Sequence, residues 1–242
     1  MLEGARVAVV IPAHNEERLI KRALSGVPAY VDHVIVVDDA SEDATHHEVA
    51  RVGDERIELI RHATNLGVGA AIATGYRRAF ELGADVAAVM AGDAQMDPQD
   101  LLQVVLPVVR GEADYAKGDR LSHPEVDARM PLSRRIGNRA LGTLTRWATG
   151  LSVRDAQCGY TALSRRAGER LPLERLWPRY GYPNDLLSHL AVRSMRVREV
   201  LVRPVYGTER SGIRPSDLVT AYPRVLARSA ARRLASALAR GA

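Results

Sequence analysis

Short, unbroken apolar runs alternate with stretches of helical period through about the first two-thirds of the chain. Residues 6–11 form a Val/Ile-rich run that stops at Pro12, and residues 33–37 form a second that stops at Asp38-Asp39. Between them, residues 16–24 set Leu19, Ile20, Ala23 and Leu24 on one helical face. A further helix begins near Ser41, with Glu42 and Asp43 in its first turn, where negative charge suits the helix dipole. Residues 56–61 read as a third strand, 67–82 as an Ala- and Gly-rich helix, and 86–90 as a fourth strand. Strands that are apolar on both faces and separated by helices predict a mostly parallel sheet covered on both sides.

Beyond about residue 110 the pattern loosens. Residues 114–117 can form a strand, and 121–130 read as a polar loop. Residues 132–149 are amphipathic and helical, with Ile136, Leu141, Leu144 and Trp147 as the apolar set. Another helix covers 186–195, and a strand covers 197–205, closed by Pro204. From Pro215 onward the chain is rich in Ala, Leu and Arg. Leu218, Tyr222, Val225, Leu226, Leu234 and Leu238 recur at helical spacing among Arg224, Arg228, Arg232, Arg233 and Arg240. Two readings fit this segment: a helix lying on an anionic membrane surface, or a helix packing its apolar face on the protein.

Composition narrows the setting. The chain has 242 residues, 46% hydrophobic and only 5% aromatic, which suits Ala/Val/Leu helices packed on a β-branched sheet. The single cysteine, Cys158, rules out an internal disulfide framework and is expected to be a packed small residue in a reducing, cytoplasmic compartment. No stretch offers the run of about 20 apolar residues that a membrane span needs. The net charge of +5 is carried overwhelmingly by Arg, which favours phosphate-bearing partners. No stripe combines basic with aromatic residues, so nucleic acid is not an expected partner. The histidines lack metal-ligand spacing, which argues against zinc.

The chemistry gathers where the strands end. The fourth apolar run breaks off into Gly92-Asp93-Ala94-Gln95-Met96-Asp97-Pro98. If the backbone there stays extended, Asp93 and Gln95 project the same way and offer a carboxylate and an amide oxygen to a hard divalent cation. Asp97 before Pro98 reads as a helix cap. The first strand ends in Pro12-Ala13-His14-Asn15-Glu16-Glu17. The second ends in Asp38-Asp39, whose carboxylates can accept hydrogen bonds from a base or ribose. Asn65-Leu66-Gly67-Val68-Gly69 opens the third helix, and its glycines allow close backbone approach to a ligand. Open α/β sheets bind ligands at this edge.

In order and spacing, these motifs resemble the inverting family 2 glycosyltransferases of the GT-A fold, nearest to the polyprenyl- and dolichyl-phosphate sugar synthases. The resemblance covers roughly residues 5–215. Asp155-Ala156-Gln157-Cys158-Gly159-Tyr160 looks like the family's acceptor-side segment, and Tyr180 to Leu187 looks like its Gly-Tyr…Asp segment. Val205 to Gly212 looks like its basic loop near the diphosphate. The resemblance implies an α/β GT-A domain over 1–213, with a nucleotide half to about 110 and an acceptor half beyond it, followed by the helical segment 214–242.

It further implies a donor pocket of Pro12, Ala13, Asn15, Glu16, Asp38, Asp39, Asn65, Gly67, Gly69, Asp93 and Ala94, with Mg²⁺ or Mn²⁺ on Asp93 and Gln95. Arg134, Asn138, Gly159 and Tyr160 would serve the acceptor or its phosphate, and Arg210 the diphosphate. Many relatives carry Asp-x-Asp at the metal motif; here the first position is Ala91, which removes one negative ligand.

The expected activity is transfer of a sugar from a UDP- or GDP-sugar. A lipid-phosphate acceptor is already an anion and needs little base catalysis. A glycan or metabolite hydroxyl would need a carboxylate to take its proton, with Asp185 the first candidate and Asp155 the second. Two rival readings remain: a nucleotidyltransferase on the same fold, and a non-catalytic protein docking on anionic membrane through its basic tail.

Overall fold

The computed structural model describes residues 1–206 and 215–241, with the side chains of 215–219 and 240–241 left aside. Seven strands form one sheet: β1 (Val7–Ala13), β2 (His33–Asp38), β3 (Ile57–Arg61), β4 (Val86–Val89), β5 (Tyr115–Asp119), β6 (Thr161–Ser164) and β7 (Val197–Leu201), in the order β3-β2-β1-β4-β6-β5-β7. β1 pairs in parallel with both β2 and β4, and β2 with β3, as the apolar runs predict. β6 was not anticipated. It enters antiparallel between β4 and β5, so β5 again points the same way as β4 and its carboxyl end opens on the same edge.

Among the described residues nine α-helices flank the sheet: α1 (Ile20–Ser25), α2 (Thr45–Ala50), α3 (Val68–Glu81), α4 (Leu101–Val109), α5 (Val126–Arg129), α6 (Leu132–Thr149), α7 (Arg165–Arg170), α8 (Tyr182–Val192) and α9 (Pro215–Gly241). One face of the sheet buries Val10, Ile35 and Val89 against Ile72 and Tyr76 of α3 and Leu186 and Leu190 of α8. The other buries Val9, Ile11 and Val36 against Ile20 and Leu24 of α1 and Leu101 and Val105 of α4. Neighbouring residues of one strand thus serve opposite cores, which is why these strands read as continuous apolar runs. Asp97 caps the turn at Pro98, its carboxylate accepting from Gln99 N at 2.9 Å, as expected.

The acceptor half departs from its pattern in two places. The 121–130 stretch is more than a polar loop, because Leu121, Val126 and Met130 form a small buried cluster closed by Tyr206. In α6 the large apolar residues face outward: Ile136 is 60% and Trp147 72% exposed, with Leu132 and Leu144 beside them. The face packed inward is Gly142, Thr145, Ala148 and Thr149. Small residues there let α6 lie close to its neighbours, and a Cβ at Gly142 would come within 2.3 Å of the Arg154 carbonyl oxygen.

Candidate active site

The tips of β1, β2 and β4 form a rim whose loops are laced to one another. Asn15 N donates to Ser41 Oγ, Glu42 N to Asn15 Oδ1, and Glu16 N to Thr45 Oγ1, all at 2.8–2.9 Å. Asp39 N donates to the Ala13 carbonyl, and Gly92 N to that of Pro12. Three non-glycine residues on this rim hold left-handed backbone: Asn15 (φ 59°), Ala40 (φ 57°) and Ala94 (φ 55°). Each costs about 1 kcal/mol or more, and such strain concentrates at functional sites. One stands at the tip of each of the three strands.

Ala94 corrects the expectation of extended backbone between Asp93 and Gln95. The chain turns there, and Asp93 Oδ1 accepts from Gln95 N at 3.0 Å. The carboxylate therefore belongs to a tight turn and not to a strand's alternation. Opposite it lies Glu16. Burial, then the neighbouring carboxylates of Asp93 and Asp43, push the Glu16 carboxyl up to about 7. An acidic group raised in this way marks a place short of positive charge. A hard divalent cation beside Asp93 would relieve it, so the carboxylates present fit such a group. Among the described residues, no cluster of three His, Cys, Asp or Glu side chains forms a ready-made metal cage.

Asp38 and Asp39 are both buried, and their carboxylates have different tasks. Asp39 accepts from His62 Nδ1 (2.7 Å), Leu66 N (2.9 Å) and Gly67 N (2.7 Å), so it is committed to shaping the loop before α3. Asp38 Oδ1 accepts from Ser41 N, while its Oδ2 has no hydrogen bond, although Arg61 Nε lies 3.1 Å away. Asp38 is thus the member of the pair with a spare acceptor.

Gly67 and Gly69 also make room for something other than a ligand. A Cβ on Gly67 would sit 2.5 Å from the Pro178 carbonyl oxygen, and one on Gly69 2.2 Å from that of Trp177. The segment 177–179 crosses the start of α3 as a strap. Ala70 N donates to the Pro178 carbonyl, and the Arg179 guanidinium to Asn65.

On the acceptor side, Gly159 and Tyr160 meet the turn that carries Asp93. Tyr160 Oη donates to the Asp97 carbonyl at 3.0 Å, and Gly159 has the Met96 methyl and the Tyr182 hydroxyl as near neighbours. Neither candidate base is open to an acceptor. Asp155 is fully buried in a two-pronged pair with Arg120 (Nε to Oδ2 2.7 Å, Nη2 to Oδ1 3.0 Å). Burial would raise its pKa, and the Arg120 charge outweighs burial and holds the carboxyl below the usual range. Asp185 is equally buried. It accepts from Trp177 N (2.9 Å) and Arg232 Nη1 (2.6 Å), which ties the strap to α9.

Sequence reasoning missed Arg120, His62 and Lys117. Lys117 is fully buried and donates to the carbonyls of Asp155 and Cys158. Arg120 follows the tip of β5, the same position in the sheet that singled out Asp38 and Asp93, and that signal could have found it. Arg134 stacks over Tyr206 at 5.7 Å, and the Tyr206 hydroxyl lies 3.5 Å from Arg120, so two arginines gather around one ring. Asn138 lies one turn further along α6 and is half-buried. Arg210 lies outside the described residues.

The family description "Glycosyl transferase family 2" matches residues 8–171. The chain belongs to glycosyl transferase family 2. It is 30% identical, over 89% of its length and 92% of the relative's, to the UDP-N-acetylglucosamine–dolichyl-phosphate N-acetylglucosaminyltransferase of Methanococcus voltae. To the polyprenol monophosphomannose synthase of Mycolicibacterium smegmatis it is 28% identical, over 85% and 78% of the two chains. Its fold matches that of glucosyl-3-phosphoglycerate synthase from Mycobacterium tuberculosis, solved with UDP: TM-score 0.67, 24% identity, covering 95% of this chain and 80% of that one. This glycosyltransferase therefore has the GT-A fold, and the rim just described is the edge at which such a fold presents its site.

Proposed function

We propose that this enzyme moves a sugar, with inversion, from a UDP- or GDP-sugar to a polyprenyl phosphate at a membrane surface, using Mg²⁺ or Mn²⁺. The burial of both candidate bases carries the choice of acceptor. Asp155 and Asp185 are locked against Arg120 and Arg232, and neither faces an incoming hydroxyl. A phosphate monoester needs no such base, because it arrives as an oxyanion. The names of two relatives that match most of this chain, a dolichyl-phosphate and a polyprenol-phosphate sugar transferase, support the same reading.

In this scheme Asp38 takes a donor N–H or ribose hydroxyl through its spare oxygen, with Arg61 moving aside. Asp39, held by His62, keeps the loop before α3 in shape to receive the nucleotide. Asp93 and Gln95 would hold the metal, which when bound would supply Lewis-acid neutralisation of the departing diphosphate. Arg134, Asn138 and the Gly159–Tyr160 segment receive the acceptor phosphate, and Arg210 the diphosphate. One acceptor oxygen forms the new bond to the anomeric carbon as the bond to the diphosphate oxygen breaks, so configuration inverts.

The test is transfer of labelled sugar from a panel of UDP- and GDP-sugars to a short polyprenyl phosphate, comparing the parent with Asp185→Asn. Retention of turnover within about tenfold per folded molecule is expected, since no proton has to be removed. Transfer to a hydroxyl acceptor alone, or a loss of several orders of magnitude on the lipid phosphate, would overturn the proposal.

A further inference from the structure

Away from the rim, α6 forms one wall of a cavity of about 420 Å³ lined by Leu121, Ser122, Arg139, Thr143, Arg146 and Arg154. Three of its six lining residues are arginines, and among the described residues none of the three is in an ion pair. Two are held in place by hydroxyls of the same wall. Arg146 Nη2 donates to Thr143 Oγ1 at 2.9 Å, and Arg154 Nη1 to Ser122 Oγ at 3.0 Å. Thr143 Oγ1 in turn donates to the Arg139 carbonyl. The nearby Glu199 carboxylate is engaged elsewhere, accepting from the backbone N–H groups of Arg154 and Asp155. Three guanidiniums outside any ion pair, two of them held by hydroxyls, are the donor set for a phosphate.

The neighbouring stripe of the same helix says where that phosphate comes from. At 100° per residue, Arg139, Thr143 and Arg146 lie along the edge of the outward stripe of Ile136, Ala140, Leu144 and Trp147. The side chains of that stripe stand in solvent, Leu144 48% and Trp147 72% exposed, while Arg233 of α9 reaches only the Trp147 backbone carbonyl. An apolar stripe ending in an exposed Trp and bordered by arginines matches a helix lying at a bilayer surface, ring at the headgroup level and cations on the phosphates.

We infer that α6, with the Arg139–Arg146–Arg154 cavity, is a docking site for the phosphate headgroup of an anionic bilayer lipid, separate from the acceptor phosphate in the active site. The inference rests on the proposed membrane acceptor for its purpose, and it is read without any acceptor or donor present. α9, the other candidate for this task, buries Tyr222, Val225 and Ser229 against the protein.

The experiment is co-sedimentation of the full chain with vesicles of phosphatidylcholine alone or mixed with phosphatidylglycerol, at low and high salt. The parent should bind the anionic vesicles and lose them at high salt. Arg139→Gln/Arg146→Gln/Arg154→Gln should weaken binding roughly 100-fold, from about a fivefold contribution per charge. Ile136→Ser/Trp147→Ser, which leaves every charge in place, should also weaken binding at low salt. Unchanged thermal unfolding checks that both variants fold. Equal vesicle binding by the triple variant and the parent would overturn the inference. So would saturable binding of inorganic phosphate, lost in the triple variant, with no vesicle binding by the parent. Failure of sugar transfer to polyprenyl phosphate would overturn the proposed acceptor and leave these readouts standing.

Discussion

The two halves of the sheet place charge and oil in opposite ways. In the donor half, apolar strands are buried, carboxylates stand at their tips, and the loops are joined through side chains to backbone. In the acceptor half, Lys117, Asp155 and Asp185 are fully buried and Arg120 nearly so, while Ile136, Leu144 and Trp147 stand in solvent. A nucleotide-binding rim needs polar groups held still at an open edge. The second half carries its ion pairs inside, and the large apolar residues of α6 face outward.

The strongest way to break this comparison is at the rim. Asp93→Ala should lower sugar transfer by about 1000-fold or more without changing the melting temperature, and a chelator should reproduce the loss in the parent. Full turnover in excess chelator would remove the metal from the scheme. The matching test in the other half is one of stability. Arg120→Met strands the Asp155 carboxylate in the core and should cost about 3 kcal/mol in urea unfolding, with Asp155→Asn/Arg120→Met recovering part of it. If both proteins unfold at the parent's midpoint, the buried pair does not hold the acceptor half together.

Gly69→Ala sharpens the boundary between the halves. The added methyl meets the Trp177 carbonyl, so the strap must lift, at about 2 kcal/mol net of the better helix propensity of Ala. Nucleotide titration should show weaker donor binding, because the strap also holds Asn65. A stabilised protein with unchanged affinity would show that the strap does not shape the pocket.

The smallest effect concerns pH. Burial and then the Arg232 charge lower the His189 pKa from 6.5 to about 4. The unfolded chain therefore takes up this proton first, and stability present at neutral pH drains away as pH falls from about 6.5 towards 4. At about pH 5 the loss should reach up to 2 kcal/mol, and His189→Leu should flatten that part of the urea-midpoint profile. An unchanged slope in the variant would assign the acid sensitivity to other groups.

The donor half was legible in the sequence because burial and periodicity agree there. A strand sandwiched between two helical layers must be apolar throughout, and its end is visible where Pro12, Asp38 or Gly92 interrupts the run. The acceptor half was less legible because the physical rule inverts. Periodicity found α6 at its observed limits, yet the side on which the large residues gather is not the side that packs. Short β6 and the Asp155–Arg120 pair depend on partners far along the chain, which no local window contains. Asp93 and Gln95 were found as polar residues at a strand tip, while the turn at Ala94 that orients them carries no signature in an alanine.

The contact between Arg232 and Asp185 also sets a timetable for biosynthesis. The strands of the donor half are all made by residue 89, and domains form as units while the ribosome works. Asp185 emerges 47 residues ahead of the arginine that neutralises it. Until α9 appears, the nascent chain carries a carboxylate without its arginine on α8, the helix that packs beside α3 on one face of the sheet. The donor strands are thus complete long before the arginine that pairs with Asp185 is made. A ribosome stalled before α9 would hold every strand of the sheet with Asp185 still lacking Arg232.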